Sequence, residues 1–366
     1  MRPDTQPALF QVVPPGPGGV FDYLQCLKAE WEAQGQASHV IALSKELARQ
    51  RSLADRVGDA LPKPGRQNGR PCSVVLHFSG YGYGERGVCF WLLDELQALQ
   101  ARYRSAVRLV VVFHELFASG PPWRSAFWVS ALQERIAVRL AVMADAIWTN
   151  TEQHASWLKT KTRPGIPLQV RSVFSNVGEP ATVPPASERA AGAVVFGLAS
   201  TRQRVFDALC GREAQLRRLG VQELIEIGNG PASSGNSTTL PRRHLGRLEQ
   251  RELSQLLQAS RFGLLDYPSR YLGKSGVFAA YVAHGCVVLD VSSPGPDTDG
   301  LVGGINYLCL PAMAEPVDAD FSAVAQNAIA TQGRHWYSTH GLGRQATELL
   351  DMAIHSWQTK ELPHEA

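Results

Sequence analysis

The sequence predicts an α/β protein of two domains, each organised around a parallel sheet, and three observations carry that expectation. Short apolar runs alternate with helical patterns, the grammar of strand, turn, helix, strand. Residues 107–113 (VRLVVVF) are almost wholly apolar, as a central strand covered on both faces requires. The same grammar restarts after a proline-rich stretch near mid-chain, and 366 residues suit two cores better than one.

Strand 9–13 opens the chain. A proline and glycine turn follows, then a helix with Val20, Leu24, Leu27 and Trp31 on one face, then strand 39–43. Residues 46–70 are polar and rich in Arg, Pro and Gly, and read as a loop with at most a short helix. Strand 73–78 ends in Ser79-Gly80-Tyr81-Gly82-Tyr83-Gly84-Glu85-Arg86-Gly87, and the next helix carries Val88, Leu92, Leu96, Leu99 and Tyr103. Strand 107–113 delivers His114 and Glu115 at its C-terminal end, the edge where open α/β sheets bind ligands. A long helix over 125–144, strand 146–149, a helix over 152–159 and strand 169–173 complete the first half. We place the N-terminal domain at 1–178 and a linker at 179–191, within a stretch that has no apolar periodicity.

The second domain, 192–340, begins with strand 193–197 and a helix over 202–219. Strand 223–227 ends in Gly228-Asn229-Gly230, and a flexible Ser, Gly, Asn and Thr loop leads to residues 244–248 and a helix over 250–259. An apolar run then ends at Asp266-Tyr267-Pro268, and Gly273-Lys274-Ser275-Gly276 opens an apolar helix that stops at Gly285 before strand 286–291. Residues 341–366 carry a last helix with Ala346, Leu350, Ile354 and Trp357 on one face.

Composition narrows the function. With 44% hydrophobic and 19% charged residues the chain is an ordinary globular protein, and a net charge of +3 gives no reason to expect nucleic acid. Six cysteines with no C-x-x-C pair read as free thiols in a reducing compartment, and no secretion signal or membrane span is visible, so the expected location is cytoplasmic. No His, Cys, Asp or Glu cluster has metal-ligand spacing, so we expect no metal or other cofactor.

The chemistry concentrates at strand ends. Gly273 to Gly276 lacks the first glycine of a Walker A loop, since Pro268 stands there. Two readings fit: a diphosphate site made by backbone N–H groups, Lys274 and Ser275, or a helix start capped by Ser275. Arg202 and Arg204, at a helix start in the same domain, are candidates to clamp the same diphosphate or to lie solvated. His114 suits proton transfer near neutral pH, and Glu115 could orient it, face substrate or sit in solvent; His77 and His284 read as structural. Gly18 and Gly19 start a helix that could meet substrate, and Tyr81, Tyr83, Glu85 and Arg86 belong to a loop able to wrap a sugar or to serve only as a connection. The helix from 125 carries Arg135 and Arg139 beside Phe127, Trp128, Val129 and Leu132, with Arg124 just before it. It could be buried in its domain or lie on an acidic bilayer.

In order and spacing, these motifs resemble the GT-B glycosyltransferases, and within them the retaining family 4. The segments are Gly18-Gly19-Val20; VVVFHE at 110–115; Val173-Phe174-Ser175-Asn176-Val177; Ile227-Gly228-Asn229-Gly230; and the stretch from Tyr267-Pro268-Ser269 to His284-Gly285-Cys286-Val287-Val288. The resemblance implies two Rossmann-like domains with parallel sheets facing an interdomain cleft, and a C-terminal helix that crosses back to the first domain. It implies metal-independent transfer of a hexose, with retention, from a nucleotide diphosphate sugar to a glycan or lipid-linked acceptor, as in cell-surface polysaccharide synthesis. On it, His114 lies near the transferred sugar, Arg202 or Arg204 with Lys274, Ser275 and Gly276 meets the diphosphate, and Gly228, Asn229 and Leu248 meet the nucleotide. One departure stands out: Leu272 and Ala280 occupy the positions of the family's two glutamates. The alternative is therefore an inactive relative that binds a nucleotide sugar or a protein partner.

Overall fold

The computed structural model describes residues 7–61, 71–118, 125–234, 239–310 and 321–354. The chain divides into two compact units, Met1–Arg171 with Gly343–Ala366, and Ser172–Leu342. Residues 172–191 thus fall with the second unit.

The first unit runs β1 (Ala8–Val13), α1 (Gly19–Ala33), β2 (His39–Ala42), α2 (Lys45–Gln50), α3 (Leu53–Ala60), β3 (Cys72–Phe78), α4 (Gly80–Tyr83), α5 (Phe90–Tyr103), β4 (Val107–Phe113), α6 (Ser125–Met143), β5 (Ala146–Thr149), α7 (Glu152–Lys159) and β6 (Leu168–Val170). The second runs β7 (Ala190–Phe196), α8 (Ala199–Ala208), α9 (Glu213–Arg218), β8 (Glu223–Ile227), β9 (Arg242–His244), α10 (Gln250–Ala259), β10 (Ser260–Leu265), α11 (Gly276–Ala283), β11 (Val287–Asp290), β12 (Leu308–Cys309) and α12 (Ala323–Ser338). The last helix, α13 (Leu342–Ala353), packs with the first unit. There Trp31 Nε1 donates to the Ala346 carbonyl at 2.8 Å and Arg171 forms an ion pair with Glu348 at 2.8 Å.

Each unit holds a six-stranded sheet, ordered β2-β1-β3-β4-β5-β6 and β12-β11-β10-β7-β8-β9, and every pairing between these strands is parallel. Strand order reverses between β1 and β3 in one sheet and between β7 and β10 in the other. At such a switch the outgoing loops diverge and leave a crevice beyond the C-terminal ends of the strands. The two Rossmann-like sheets agree with the expected fold class.

Some local expectations need correction. Residues 46–61 hold two helices where at most a short one is expected: Ser44 and Ser52 accept from Leu47 N and Asp55 N to start α2 and α3, and α3 buries Leu53, Ala54 and Val57, while residues 62–70 lie outside the described residues. The single helix expected over 202–219 is two, because Gly211 adopts a left-handed φ of 77° between α8 and α9. A short strand not expected from the sequence, Arg242–His244, pairs with β8 and leads into residues 244–248. Trp357, Arg124 and the side chain of Phe127 lie outside what is described. No helix among the described residues is long and apolar enough to cross a membrane.

Candidate functional site

In the first unit the switch between β1 and β3 contains a chain of buried polar side chains. Gln11 and His77 have no exposed surface, in a sheet whose neighbouring positions are Phe10, Val12, Val74, Val75 and Leu76. Gln11 Nε2 donates to Ser38 Oγ at 2.8 Å, and Gln11 Oε1 lies 3.2 Å from His77 Nε2. His77 Nδ1 lies 3.2 Å from Nε2 of His114, itself only 8% exposed. Tyr23 of α1 sets its ring edge-on to both imidazoles, at 4.9 Å from His114 and 5.9 Å from His77. Burial, and next the neighbouring His114, push the His77 imidazole well below its ordinary range, so His77 is neutral.

His77, expected to be structural, is thus in direct contact with the best catalytic candidate. Gln11 and Tyr23 were not anticipated at all. The one sequence signal was a glutamine inside an otherwise apolar strand, Leu9 to Val13. Glu115 is exposed and accepts from Ser79 Oγ at 2.9 Å, which ties the ends of β3 and β4 together beside His114.

Gly18 and Gly19 are exposed at the start of α1, with open space where a side chain would stand. The first N–H groups of α1 have no partner within the helix, so they favour an anionic or polar ligand. The Tyr81 loop is only partly as expected. Tyr81, Glu85 and Arg86 are exposed, but Tyr83 turns inward and donates to the Val12 carbonyl at 3.2 Å, and burial raises its phenol pKa. Tyr83 packs against Phe78 and Trp91, so it supports the loop and is not presented to a ligand.

In the second unit the edge at β7 and β10 carries the charges. Arg204 is exposed and pairs with Asp266, at the end of β10, at 3.0 Å. Lys274 closes a 3₁₀ turn (Ser269–Lys274), with its ammonium 5.6 Å from the Tyr271 ring centroid. Ser275 caps α11 by accepting from Phe278 N at 3.1 Å, as the helix-start reading expects, while Gly276 begins the helix. Leu272 and Ala280 both point into the core and have no exposed surface. Buried Asp290, at the end of β11, accepts from Ser292 N at 2.9 Å, and Ser292 Oγ donates to the Tyr267 carbonyl at 2.9 Å, which braces the segment before the turn. Burial pushes the Asp290 carboxyl up to about 6 despite these bonds.

Arg202 departs from its expected role. Its side chain has no exposed surface. Nε donates to Glu226 at 2.9 Å, and the terminal nitrogens donate to the carbonyls of Gly197 at 2.7 Å, Asn229 at 3.0 Å and Pro231 at 3.2 Å. With its donors committed to the loops after β7 and β8, it is not offered to a diphosphate. Glu226, in the middle of an apolar strand, also accepts from Arg242 and from Ser233 Oγ at 2.6 Å. Burial pushes its carboxyl up, but the bonds from Ser233, Arg242 and Arg202 outweigh that and hold it near 2.

Gly228 is required beside this pair. It adopts a φ of 149°, and a Cβ there would collide with the Arg202 guanidinium and the Gly197 carbonyl. Asn229 is exposed, and partly buried Leu248 lies just before α10, whose N-cap is Glu249. Among the described residues, no group of three or more His, Cys, Asp or Glu is placed to hold a metal ion.

No protein-family model and no curated relative matches the sequence. Solved structures do match. An alpha-glucosyltransferase in complex with UDP aligns over 95% of this chain and 99% of its own at a TM-score of 0.55 and 10% identity. An alpha-glucosyltransferase in complex with UDP and a 13-mer DNA containing a HMU base aligns over the same shares at 0.54 and 11%. At such identity the likeness speaks for the fold alone. Two parallel six-stranded sheets, matched along nearly their whole length by these enzymes, give this chain the GT-B fold.

Proposed function

We propose that this chain is a glycosyltransferase that uses a nucleotide diphosphate sugar, and that it transfers a hexose with retention to a glycan or lipid-linked acceptor. One observation carries the reading: the chain aligns end to end with glucosyltransferases that bind UDP. In this reading the second unit takes the donor. Lys274 and Arg204 stabilise the leaving diphosphate as its charge develops, the first N–H groups of α11 assist, and the loop at Gly228 and Asn229, with Leu248, receives the nucleotide. The first unit supplies His114 beside the reacting sugar, and Gly18, Gly19, Tyr81, Glu85 and Arg86 receive the acceptor. On this reading no metal is required, and the mechanism is that of the retaining enzymes of family 4.

The direct test is incubation with UDP-glucose and other nucleotide sugars against a panel of glycans, lipid-linked glycans and duplex DNA, with release of nucleotide diphosphate as the readout. DNA belongs in the panel because a solved neighbour such as the complex with UDP and DNA above is bound to it, although we expect no nucleic acid to serve as acceptor. Lys274→Ala should weaken nucleotide affinity about tenfold. The absence of any diphosphate release, together with unchanged affinity in Lys274→Ala, would sink the reading.

A second reading has its own observation. Leu272 and Ala280 are fully core residues, so the positions of the two family glutamates contribute packing instead of ligand contacts. On this reading the chain binds a nucleotide sugar or a protein partner without turnover, and calorimetric binding with no product after long incubation selects it.

We further propose that the enzyme acts in the cytoplasm, in cell-surface polysaccharide synthesis, and docks peripherally on an acidic membrane through α6. Trp128 (73% exposed), Leu132 and Val142 share an outward stripe with exposed Arg135. Flotation with vesicles containing anionic lipid tests this, and recovery of all protein in the lipid-free fraction would remove it.

A further inference from the structure

We propose that His77 is a positioning residue for His114: with Gln11 and Ser38 behind it, it accepts the Nε2 proton of His114 and so leaves Nδ1 as the nitrogen with the lone pair. The inference deepens the first-unit site. Its tautomer half stands on geometry alone, and only its kinetic consequence rests on the transferase reading.

Burying an amide and an imidazole inside a parallel sheet costs free energy unless their polar atoms are matched, and an apolar side chain at position 77 would fill the same space without that cost. The atoms are matched in series. Gln11 donates its amide to Ser38 Oγ at 2.8 Å, so its other terminal atom is the carbonyl oxygen Oε1, which can only accept. Nε2 of His77, 3.2 Å from that oxygen, must therefore carry a proton. A neutral imidazole protonated on Nε2 has a bare Nδ1, and that nitrogen lies 3.2 Å from His114 Nε2. The only arrangement that satisfies both nitrogens places a proton on His114 Nε2.

The main chain of His114 is fixed and the ring is packed against Tyr23. Its backbone N–H donates to the Phe78 carbonyl at 2.9 Å, next to His77, and the Tyr23 ring stands edge-on at an interplanar angle of 81°. Tyr23 is itself fixed by a bond from its hydroxyl to Gln345 Oε1 at 3.2 Å. The tautomer of His114 is thus set from below the site by residues of β1 and β3.

The test uses the full chain with 15N-labelled histidine, at about pH 8 where ordinary imidazoles are neutral. Single-histidine substitutions supply the assignments. Slowly exchanging ring protons are expected on Nε2 of both His77 and His114, with Nδ1 of each bare. His77→Leu should speed exchange of the His114 ring proton at least tenfold. His77→Asn, whose Oδ1 takes the place of Nδ1, should restore it. A proton on Nδ1 of His114 in the unaltered protein overturns the proposal, as does a His114 signal indifferent to His77→Leu. If the leucine variant fails to fold, the unaltered protein and His77→Asn decide the question. Where transferase activity is found, His77→Leu should lower kcat about tenfold or more with donor KM unchanged, and His77→Asn should recover most of it. If the unaltered protein shows no turnover, the transferase reading fails while the tautomer result stands.

Discussion

The two sheets bury polar groups in opposite ways. In the first unit the buried groups are an amide and two imidazoles joined end to end, and they lead towards the switch between β1 and β3. In the second unit the buried groups are ions. Arg202 and Glu226 have no exposed surface and bind the loops beyond β7 and β8 from beneath. A chain without ions has low desolvation cost and, with Gln11 fixed by Ser38, one matched proton arrangement, so it can set the position of a proton. An ion pair is costly to separate and fixes backbone position. The contrast teaches that one unit is built to orient a reactive side chain and the other to hold a binding loop still.

The largest test of this contrast breaks the ion pair. Glu226→Ala leaves the Arg202 charge buried and unmatched, and should cost about 3–5 kcal/mol, read as lost hydrogen-exchange protection in β7 and β8 with β3 and β4 unaffected. The carboxyl also sets an acid limit. With its folded pKa near 2, below the unfolded value, its stabilisation is present above about pH 4 and is lost as pH falls towards 2. Exchange protection of β7 and β8 that is equal in Glu226→Ala and the unaltered protein would end the claim that the ions hold the loops.

Next in size is the acid sensitivity of the amide and imidazole chain. Because the folded pKa of His77 is depressed, its contribution is intact above the unfolded value, about 6.5, and is lost as pH falls below it. Between pH 7 and pH 5 the first unit should lose about 1–2 kcal/mol more than it does in His77→Leu, measured by denaturant unfolding at each pH. Equal losses would mean that the fold does not depress the His77 pKa. Ser275→Ala removes the cap of α11 and should cost about 1 kcal/mol in thermal unfolding, whether or not nucleotide binds there. Arg204→Ala breaks only an exposed pair with Asp266. It should leave stability within about 0.5 kcal/mol while weakening nucleotide affinity, a separation of effects that Arg202→Ala should not show.

Much of the fold was legible because parallel sheets write themselves locally. The apolar run ending in His114 is β4, the 223–227 run is β8 and the 250–259 pattern is α10, each with the bounds expected. The helix start at Ser275 was equally readable from a serine followed by an apolar run. The site was harder because its contacts are long in sequence. His77 reaches His114 across 37 positions and Arg202 reaches Glu226 across 24, and no periodicity connects them. Arg202 and Arg204 look alike at a helix start, yet two residues of helical turn send one inward and the other outward. The usable signs were polar residues inside apolar strands, Gln11 in β1 and Glu226 in β8, each the hub of the network around it.

One connection bears on how the protein is made. Ala346, Leu349 and Ala353 of α13 are fully buried in the first unit, and Ser73 of β3 donates to the Ala353 carbonyl at 2.5 Å. These residues are translated only after all of Ser172–Leu342. On the ribosome the first unit therefore waits, its Trp31 surface open, until the second has been synthesised. The part of the protein that starts folding earliest is the part that finishes last.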